Sequence, residues 1–430
     1  MQHILNNCSV GMKKIQAKLL DLSQGRGAWL FGIFAILLFS GYFLSLDMFI
    51  PSLPTIEHQF GSSDQLVRFL ISSFLVTMAL SQLIYGPASD KYGRKPVILL
   101  GIVIYAIGSL LCYRADNMSV LLTGRVIQGL GVGALVPIAR TILQDVVDRD
   151  RFIKLIAWLS LVFMFAPAIA PVIGGYIQKY GHWQDSFKIM LIMALLMFLI
   201  IWLIFPETHS REKRNHQALK PKQLFGNYGM MLIHGEFVAL TTCIIMGSGG
   251  VMIFYTIGPF ILIKQLGMSP AHFGLLSSVI VLCAFIGRLY MSLMMKIIAK
   301  KTILFQGIVG MISGAFFLIG VMIIAPTSSV LIIIGMILYA ASASIIMPII
   351  AGFALSLFQK NKGAAGALYS FLQSFGVFIL SFVAALVPAN LMSLALMLAL
   401  MALTALLSFI NALRYRQKTQ PLPAGEYASR

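Results

Sequence analysis

The sequence predicts an all-α membrane protein whose twelve transmembrane helices form two pseudo-symmetric lobes of six helices. Of the 430 residues, 59% are apolar and only 11% are charged, whereas about 25% of residues are charged in an average soluble domain. The mean hydropathy of +0.90 excludes a cytosolic enzyme or a secreted domain. The length accommodates about twelve apolar spans of ~20 residues with their loops. A hydrophilic interval near the middle separates six spans from six.

The distribution of positive charge predicts the topology. The formal net charge is +18, which in a soluble protein would indicate a nucleic-acid partner. With the N-terminus placed in the cytoplasm, 25 of the 32 lysines and arginines fall on the cytoplasmic side, five on the outer side and two inside spans. Cytoplasmic loops of membrane proteins carry such an excess. We therefore expect both termini in the cytoplasm and no binding of nucleic acid.

Each predicted span is long enough for a helix, because a barrel strand would need only ~10 residues. The first span follows a basic segment but lacks a small-residue cleavage site, so we interpret it as an uncleaved helix. The predicted spans are 29–50, 66–86, 97–114, 120–141, 154–177, 187–206, 237–258, 271–295, 302–324, 330–352, 363–386 and 390–412. The predicted organisation is an N-terminal cytoplasmic segment 1–28, a six-helix lobe 29–206, a cytoplasmic linker 207–236, a second six-helix lobe 237–412 and a cytoplasmic tail 413–430.

A weak internal repeat supports two related halves. Residues 83–101 align without gaps with residues 289–307, so that Gly101 matches Gly307 and a basic pair matches a basic pair. Together with the central linker, this predicts two parallel repeats related by an axis along the membrane normal. The linker itself is interpreted as a charged connection held at the cytoplasmic face; a regulatory partner site is the alternative.

The loop between spans two and three carries the most specific motif of the chain. It reads GPASDKYGRKP over residues 86–96. Glycine and proline predict a tight reversal at the cytoplasmic surface, and a simple charged turn would not require an acidic residue and two glycines at fixed places. The pattern resembles the signature loop of the major facilitator superfamily. That resemblance implies a major facilitator fold and a latch between lobes, formed by Gly86, Asp90, Gly93, Arg94 and Asp145.

Other segments narrow the resemblance. They are LDMFIPSLP at 46–54, RVIQGLG at 125–131, APAIAPVIGG at 166–175 and PET at 206–208. Together they resemble the drug:H⁺ antiporters of the bicyclomycin/chloramphenicol resistance (Bcr/CflA) family. The clear matches cover residues 46–208, and the second half fits mainly by hydropathy and by residues 363–373. One departure is the sequence HWQD at 182–185, where the family commonly has Trp-Arg-Trp.

The motif in span five is similar to the antiporter signature of that family. It contains two prolines, which kink helices, and two glycines, which let helices approach closely. Both the resemblance and the physical interpretation predict that this motif lets the helix flex and seals the helix packing, and that it does not contact a ligand. The residues concerned are Pro167, Pro171, Gly174 and Gly175.

Asp47 is the only acidic residue within a predicted span. Intramembrane ionisable residues are expensive and are therefore candidates for function, although Asp47 lies close enough to the outer end to be a structural residue at the interface. Arg125 lies at similar depth in span four, so the two residues are predicted to face each other; the alternative for Arg125 is packing against carbonyls. The resemblance implies that this pair carries proton coupling. Because an adjacent arginine favours the charged carboxylate, we expect Asp47 to take up a proton only when the pair separates.

Several residues are candidates for the wall of a substrate cavity. Phe43 lies one helical turn before Asp47, and Gln128 lies nearly one turn after Arg125. Methionine and aromatic surfaces adapt to varied guests, which adds Met164, Tyr255 and Gln373 as weaker candidates. Arg288 is interpreted as a residue that snorkels or binds a carbonyl. Glu236 is a candidate second proton site if span seven begins earlier than predicted.

The sequence contains little that would indicate a metal site, a cofactor site or an enzymatic site. The four cysteines are far apart, the seven histidines lie in loops or at span ends, and no phosphate-binding glycine loop is present. We therefore expect no metal and no cofactor, with the proton gradient as the energy source. No group of residues predicts an enzyme.

The resulting hypothesis is proton-coupled efflux of small amphipathic drugs by alternating access. The protein is expected to act as a monomer in a bacterial inner membrane. The alternatives are a dedicated exporter of one metabolite or siderophore, a proton-coupled importer, and a non-transporting membrane sensor.

Overall fold

The computed structural model describes residues 28–146, 149–209, 214, 228–358 and 362–419, with the side chains of 28–30, 144, 146, 149–164, 362–364 and 417–419 left aside. Long helices account for most of this part of the chain. The first eight are α1 (Ala28–Asp47), α2 (Leu53–Phe60), α3 (Asp64–Tyr92), α4 (Arg94–Tyr113), α5 (Met118–Val132), α6 (Leu135–Val146), α7 (Arg149–Tyr180) and α8 (Trp183–Leu203). The others are α9 (Gly235–Pro259), α10 (Pro270–Met294), α11 (Lys300–Ile324), α12 (Ser329–Ser356), α13 (Lys362–Leu386) and α14 (Leu391–Thr419).

Twelve helical segments correspond to the twelve predicted spans. Eleven segments of the described chain are long and apolar enough to cross a membrane. The 32-residue helix α7 is the twelfth. Within the described ranges no residue belongs to a β-strand. The predicted all-α, twelve-helix fold class is therefore confirmed.

Three of these segments are interrupted. Between α1 and α2 the chain passes through a 3₁₀ turn, Ile50–Ser52. Span four is divided into α5 and α6 around Gly133, whose added Cβ would collide with Ser81 of α3. Helix α9 continues into a π-helical turn, Phe260–Gln265, and such turns are frequent at functional sites. Hydropathy predicts the length of a span but not these local breaks.

The tight reversal predicted within residues 86–96 is present, but it lies at Gly93, and the predicted end of span two at residue 86 is too early. Helix α3 continues through Gly86 and Pro87 to Tyr92, and the chain turns at Gly93 alone, where φ is 103°. A proline inside a helix removes one N–H bond and crowds the carbonyl four residues earlier, but α3 continues past Pro87. Only glycine readily adopts the positive φ found at Gly93. The turn is therefore one residue long and lies at the second glycine of the motif.

The described chain divides into two compact units. The first comprises the described parts of Met1–Lys220 together with Pro259–Leu282, and the second comprises those of Pro221–Gly258 together with Cys283–Arg430. In the first unit α4 and α5 approach closely, because a Cβ on Gly108 or Gly131 would overlap the backbone of the opposite helix. Small residues permit such contacts between membrane helices. This packing fixes the positions of the polar side chains on α4 and α5.

The second unit also contains two helices that approach closely at a glycine. A Cβ on Gly314 of α11 would lie 2.7 Å from the backbone nitrogen of Tyr339 on α12. The buried hydroxyl of Tyr339 donates a hydrogen bond of 2.9 Å to the carbonyl of Met246 on α9. Close packing of α11 on α12 thus places a tyrosine that holds α9.

Candidate functional site

Asp47 is the last residue of α1 and lies inside the first unit. Its side chain is only 2% exposed, and the three residues that follow it are fully buried. Its Oδ1 atom has no hydrogen-bond partner among the described residues. A buried carboxylate without partners is costly, so this oxygen is a position where a proton or a cationic group would bind favourably.

Arg125 lies on α5 and is fully buried. Its Nε donates to the carbonyl of Leu70 at 3.2 Å, and its Nη1 donates to the carbonyl of Ser45 at 2.9 Å. The guanidinium lies between the rings of Phe49 and Phe74, 4.2 Å from each ring centroid. Aromatic faces stabilise a cation electrostatically. The arginine is therefore held by α1 and α3 through carbonyls and aromatic rings.

Gln128 completes the surroundings of Arg125. The Oε1 atom of Gln128 accepts from Arg125 Nη1 at 2.8 Å, and its Nε2 atom donates to Ser109 Oγ on α4 at 2.8 Å. Ser109 in turn donates to the carbonyl of Tyr105 at 2.8 Å. Gln128 is fully buried, so in this structure it contacts Arg125 and α4 instead of lining an open cavity.

Asp47 and Arg125 belong to one buried cluster without forming an ion pair. The residues two positions on either side of Asp47, Ser45 and Phe49, both contact Arg125. None of the ion pairs between described residues joins the two side chains. The Nη2 atom of Arg125, like Oδ1 of Asp47, has no partner in the described part of the chain. The predicted proximity is thus present, whereas direct pairing is absent in this conformation.

The remaining cavity candidates lie in different parts of the chain. Phe43 is half-buried in the first unit, with its ring edge-on to Tyr42 at 4.8 Å between centroids. Tyr255 is 4% exposed and Gln373 is half-buried, both in the second unit. The side chain of Met164 lies outside the described residues. A role for these residues in binding substrate stays a prediction.

The signature loop forms a polar cluster around Arg94, which is 3% exposed. Its Nε donates to Asp145 Oδ2 at 2.9 Å, and its Nη1 donates to Asp90 and, at 2.7 Å, to Ser89 Oγ. The predicted contact between Arg94 and Asp145 is present. Gly86 differs, because a Cβ added there would meet no described atom within 4 Å. Its place in the cluster is indirect, through its carbonyl, which accepts from Ser89 Oγ.

Glu207 is a member of this cluster that sequence reasoning did not select. Its Oε1 accepts from the backbone N–H of Arg94 at 2.9 Å, and its Oε2 accepts from that of Lys95 at 3.2 Å. A carboxylate satisfies the free N–H groups of a helix N-terminus. A Cβ on Gly93 would overlap this carboxylate. The signal in the sequence was the Pro206–Thr208 motif, noted only for its resemblance.

The motif in span five lies in an unbroken part of α7. A Cβ on Gly174 would collide with the carbonyl oxygen of Met48, and a Cβ on Gly175 would lie 2.5 Å from that of Pro270. Ser278 of α10 donates a hydrogen bond to the carbonyl of Ala168, a residue between Pro167 and Pro171. The motif therefore packs against the residue after Asp47 and against the start of α10, all within the first unit.

The other singled-out residues have simpler surroundings. Arg288 is exposed on α10, and Glu236 is 8% exposed in the first turn of α9. In the HWQD segment, Trp183 is buried and donates from Nε1 to Gln59 Oε1 at 2.6 Å. Asp185 accepts from the backbone N–H of His182 and helps to cap α8. No group of three metal-binding side chains occurs among the described residues.

Known protein families and known proteins are similar to this chain over most of its length. The family model described as "Major Facilitator Superfamily" matches residues 33–381. The chain is 32% identical to the bicyclomycin resistance protein homolog of Haemophilus influenzae over 229 residues, which are 53% of this chain and 57% of that protein. It is 26% identical to multidrug resistance protein D of Escherichia coli over 391 residues, covering 88% of this chain and 95% of that protein.

The fold is also similar to that of a solved transporter. The crystal structure of a D-xylose–proton symporter superposes with a TM-score of 0.69 at 16% identity, covering 87% of this chain and 97% of that one. At this identity the likeness concerns the fold alone. The sequence match, the twelve helices and the signature loop agree, and the chain belongs to the major facilitator superfamily of secondary transporters.

Proposed function

We propose that this protein exports small amphipathic drugs in exchange for protons. The observation that carries the proposal is the buried cluster in which Asp47 Oδ1 and Arg125 Nη2 both lack partners among the described residues. Two relatives are named for resistance to bicyclomycin and to multiple drugs, which favours efflux over the alternatives. The motif in span five, which resembles an antiporter signature, supports the same direction.

Asp47 is the proposed proton carrier. A neutral Asp47 tolerates burial, whereas an ionised one requires water, a cation or Arg125. Opening the cluster to one side would hydrate Asp47 and release its proton there, and a cationic guest would then compete with the proton for the carboxylate. Arg125 stabilises the ionised state of Asp47 when the two side chains approach.

With Asp47 as the single carboxylate that carries protons, one proton moves in each transport cycle. One proton per cycle against a monovalent cationic drug is electroneutral, so only the pH gradient drives that exchange. A neutral drug exchanged for a proton also uses the membrane potential, which contributes about 2.3 kcal/mol per 100 mV, or roughly a 50-fold concentration gradient. No cofactor is required, because the proton gradient supplies the energy.

The remaining parts of the proposal concern location and conformational change. The excess of basic residues on one side supports an orientation with both termini in the cytoplasm, and the bacterial relatives support a location in the inner membrane. In this proposal the protein acts there as a monomer. The cluster of Asp90, Arg94 and Asp145 acts as the latch of the lobe movement. The α7 motif around Pro167 and Gly174 flexes and seals, since its glycines contact backbone directly.

The test uses purified protein in liposomes that contain a pH-sensitive dye. A panel of antibiotics, dyes and siderophores is added, and we expect proton movement that depends on the compound and is abolished in Asp47→Asn. Asp116→Asn, which removes an exposed carboxylate from a loop, is the matched control and should transport like the unmodified protein.

Other outcomes decide between the alternatives. Proton movement that persists in Asp47→Asn would show that another group, with Glu236 the first candidate, carries the proton. A response to one siderophore alone would indicate a dedicated exporter. No movement with any compound would contradict multidrug efflux and favour a sensor.

A further inference from the structure

An open cavity of about 650 Å³ lies beside the signature loop and is distinct from the buried Asp47 cluster. It is formed where α3 ends, α4 begins and the chain leaves α8. Its lining side chains are Tyr92, Lys95, Pro96, Leu99, Glu207, His209 and Arg214. All of them belong to the first unit. The transport proposal assigns no role to this space.

Hydrogen-bond donors outnumber acceptors in the lining. Both oxygens of Glu207 accept backbone N–H groups, those of Arg94, Lys95 and His209, and Oε2 also lies 4.0 Å from Nη2 of Arg214. The Nε atom of Arg214 and the Nε2 atom of His209 are buried and have no partner among the described residues. Buried polar atoms without partners are rare in folded proteins. The lining is therefore prepared to receive hydrogen-bond acceptors.

Lys95 adds a further donor. Its ammonium donates to the carbonyls of Trp202 at 2.9 Å and Phe205 at 2.7 Å, and an ammonium carries three N–H groups. The carbonyl contacts hold Lys95 at the wall and use two of its three donors. The charges of Lys95, Arg214 and Glu207 sum to +1, which matches the single negative charge of a phosphodiester.

The position of the cavity favours a ligand that comes from the bilayer. Lys95 and Pro96 are in the first turn of α4, at the side that the charge distribution places in the cytoplasm. Tyr92 and Trp202 are 52% and 49% exposed, and such aromatic residues mark the headgroup level of a membrane. Farther along the same helices, Leu100 and Leu199 are 55% and 47% exposed, as surfaces for acyl chains would be.

We propose that this cavity binds the phosphodiester headgroup of an anionic lipid of the cytoplasmic leaflet. Arg214 Nε, His209 Nε2 and Lys95 Nζ donate to the phosphate oxygens, Tyr92 and Pro96 contact the glycerol, and the acyl chains lie along α4 and α8. Basic pockets between membrane helices are known to take such headgroups. Glu207 joins this site to the Arg94 cluster, so an occupied cavity would stabilise the arrangement of the signature loop.

Lipid binding is measured on the purified full chain by native mass spectrometry, with phosphatidylglycerol and phosphatidylethanolamine of identical acyl chains. We expect tighter binding of phosphatidylglycerol, and about tenfold weaker binding of it in Arg214→Gln, because a charge-assisted hydrogen bond is lost. Arg414→Gln is the matched control, since it removes an exposed arginine at the end of α14, on the same predicted side of the membrane. Its affinity should equal that of the unmodified protein.

Three results would overturn the proposal. Equal affinity for the two lipids would remove the preference for an anionic headgroup, and equal weakening in Arg214→Gln and Arg414→Gln would show that only diffuse charge matters. Competition by soluble glycerophosphoglycerol at the concentration at which the lipid binds would assign the site to a phosphodiester from water. His209→Phe removes one donor without removing a permanent charge. Because one hydrogen bond is lost, it should weaken binding about threefold even if Arg214→Gln fails to fold.

Discussion

At the scale of single residues, the guanidinium of Arg125 is the best-defined group of the candidate site. It donates hydrogen bonds to two backbone carbonyls and one side-chain amide oxygen, and it lies between two aromatic rings. Except for Gln128, which is one turn away on α5, each of these partners lies outside the helix that carries Arg125. Gln128 is the partner that joins Arg125 to Ser109 of α4.

Replacing Gln128 with leucine should both destabilise the protein and impair transport. The change keeps the volume but leaves a buried guanidinium N–H without its acceptor, which costs about 1–3 kcal/mol. We expect a lower midpoint of thermal unfolding in detergent and reduced substrate-dependent proton movement in liposomes.

Gln184→Leu provides the control, because Gln184 is half-buried in the first turn of α8 and takes no part in the hydrogen bonds of Arg125. The two variants should differ in both measurements. If Gln128→Leu unfolded and transported like Gln184→Leu, the proposed support of Arg125 by Gln128 would be wrong.

At the scale of helices, the glycines of α7 make contacts that a larger residue would prevent. Gly174 faces the carbonyl of Met48, and Gly175 faces the start of α10. These contacts join α7 to the segment that carries Asp47. The glycines of the motif therefore act through backbone contact, whereas its prolines leave α7 a continuous helix in this structure.

Gly174→Ala should lower the thermal stability of the protein, although alanine favours helix. The added methyl group would overlap the Met48 carbonyl. Overpacking that forces the backbone to shift typically costs about 1–3 kcal/mol. The measurement is the unfolding midpoint in detergent, together with transport in liposomes.

Gly320→Ala in α11 is the matched control, since a Cβ added there meets nothing within 4 Å. Alanine in an open helical position stabilises by about 0.5–1 kcal/mol. The two substitutions should thus shift the midpoint in opposite directions, and shifts of the same sign would refute close packing at Gly174.

At the scale of the whole molecule, the distribution of basic residues and the twelve helices predict one orientation in the membrane. The loop between α4 and α5 contains Asp116 and should face outward, whereas the segment after α10 contains Lys296 and should face the cytoplasm. Both side chains are exposed, so each position is suitable for chemical labelling.

A membrane-impermeant maleimide applied to intact cells should label Asp116→Cys and leave Lys296→Cys unlabelled. After the cells are opened, both variants should react. The unsubstituted chain, with its four own cysteines, gives the background. The reverse pattern in intact cells would place the termini outside and would contradict the orientation in the proposed function.

Much of the candidate site could be predicted because its residues violate local rules. Asp47 and Arg125 are ionisable groups in apolar segments, and Arg94 and Asp145 follow from the signature loop and the end of span four. Glu207 and Gln128 were harder to assign, because their roles depend on which backbone N–H or guanidinium lies opposite them. Gly86 was assigned to the loop between spans two and three because it stands beside a proline, whereas the helix continues through it and ends at Tyr92.

The all-α membrane fold and the number of spans could be predicted from hydropathy, since a bilayer imposes the length and apolar character of every span. The family followed from the motifs of the first half of the chain. Tertiary structure alone decided that α5 and α6 are separate, that Gln128 holds Arg125, and that Pro259–Leu282 packs with the N-terminal helices. The physical reason is that lipid acts on each segment independently. Contacts between segments depend on helix rotation and close backbone approach, which hydropathy does not encode.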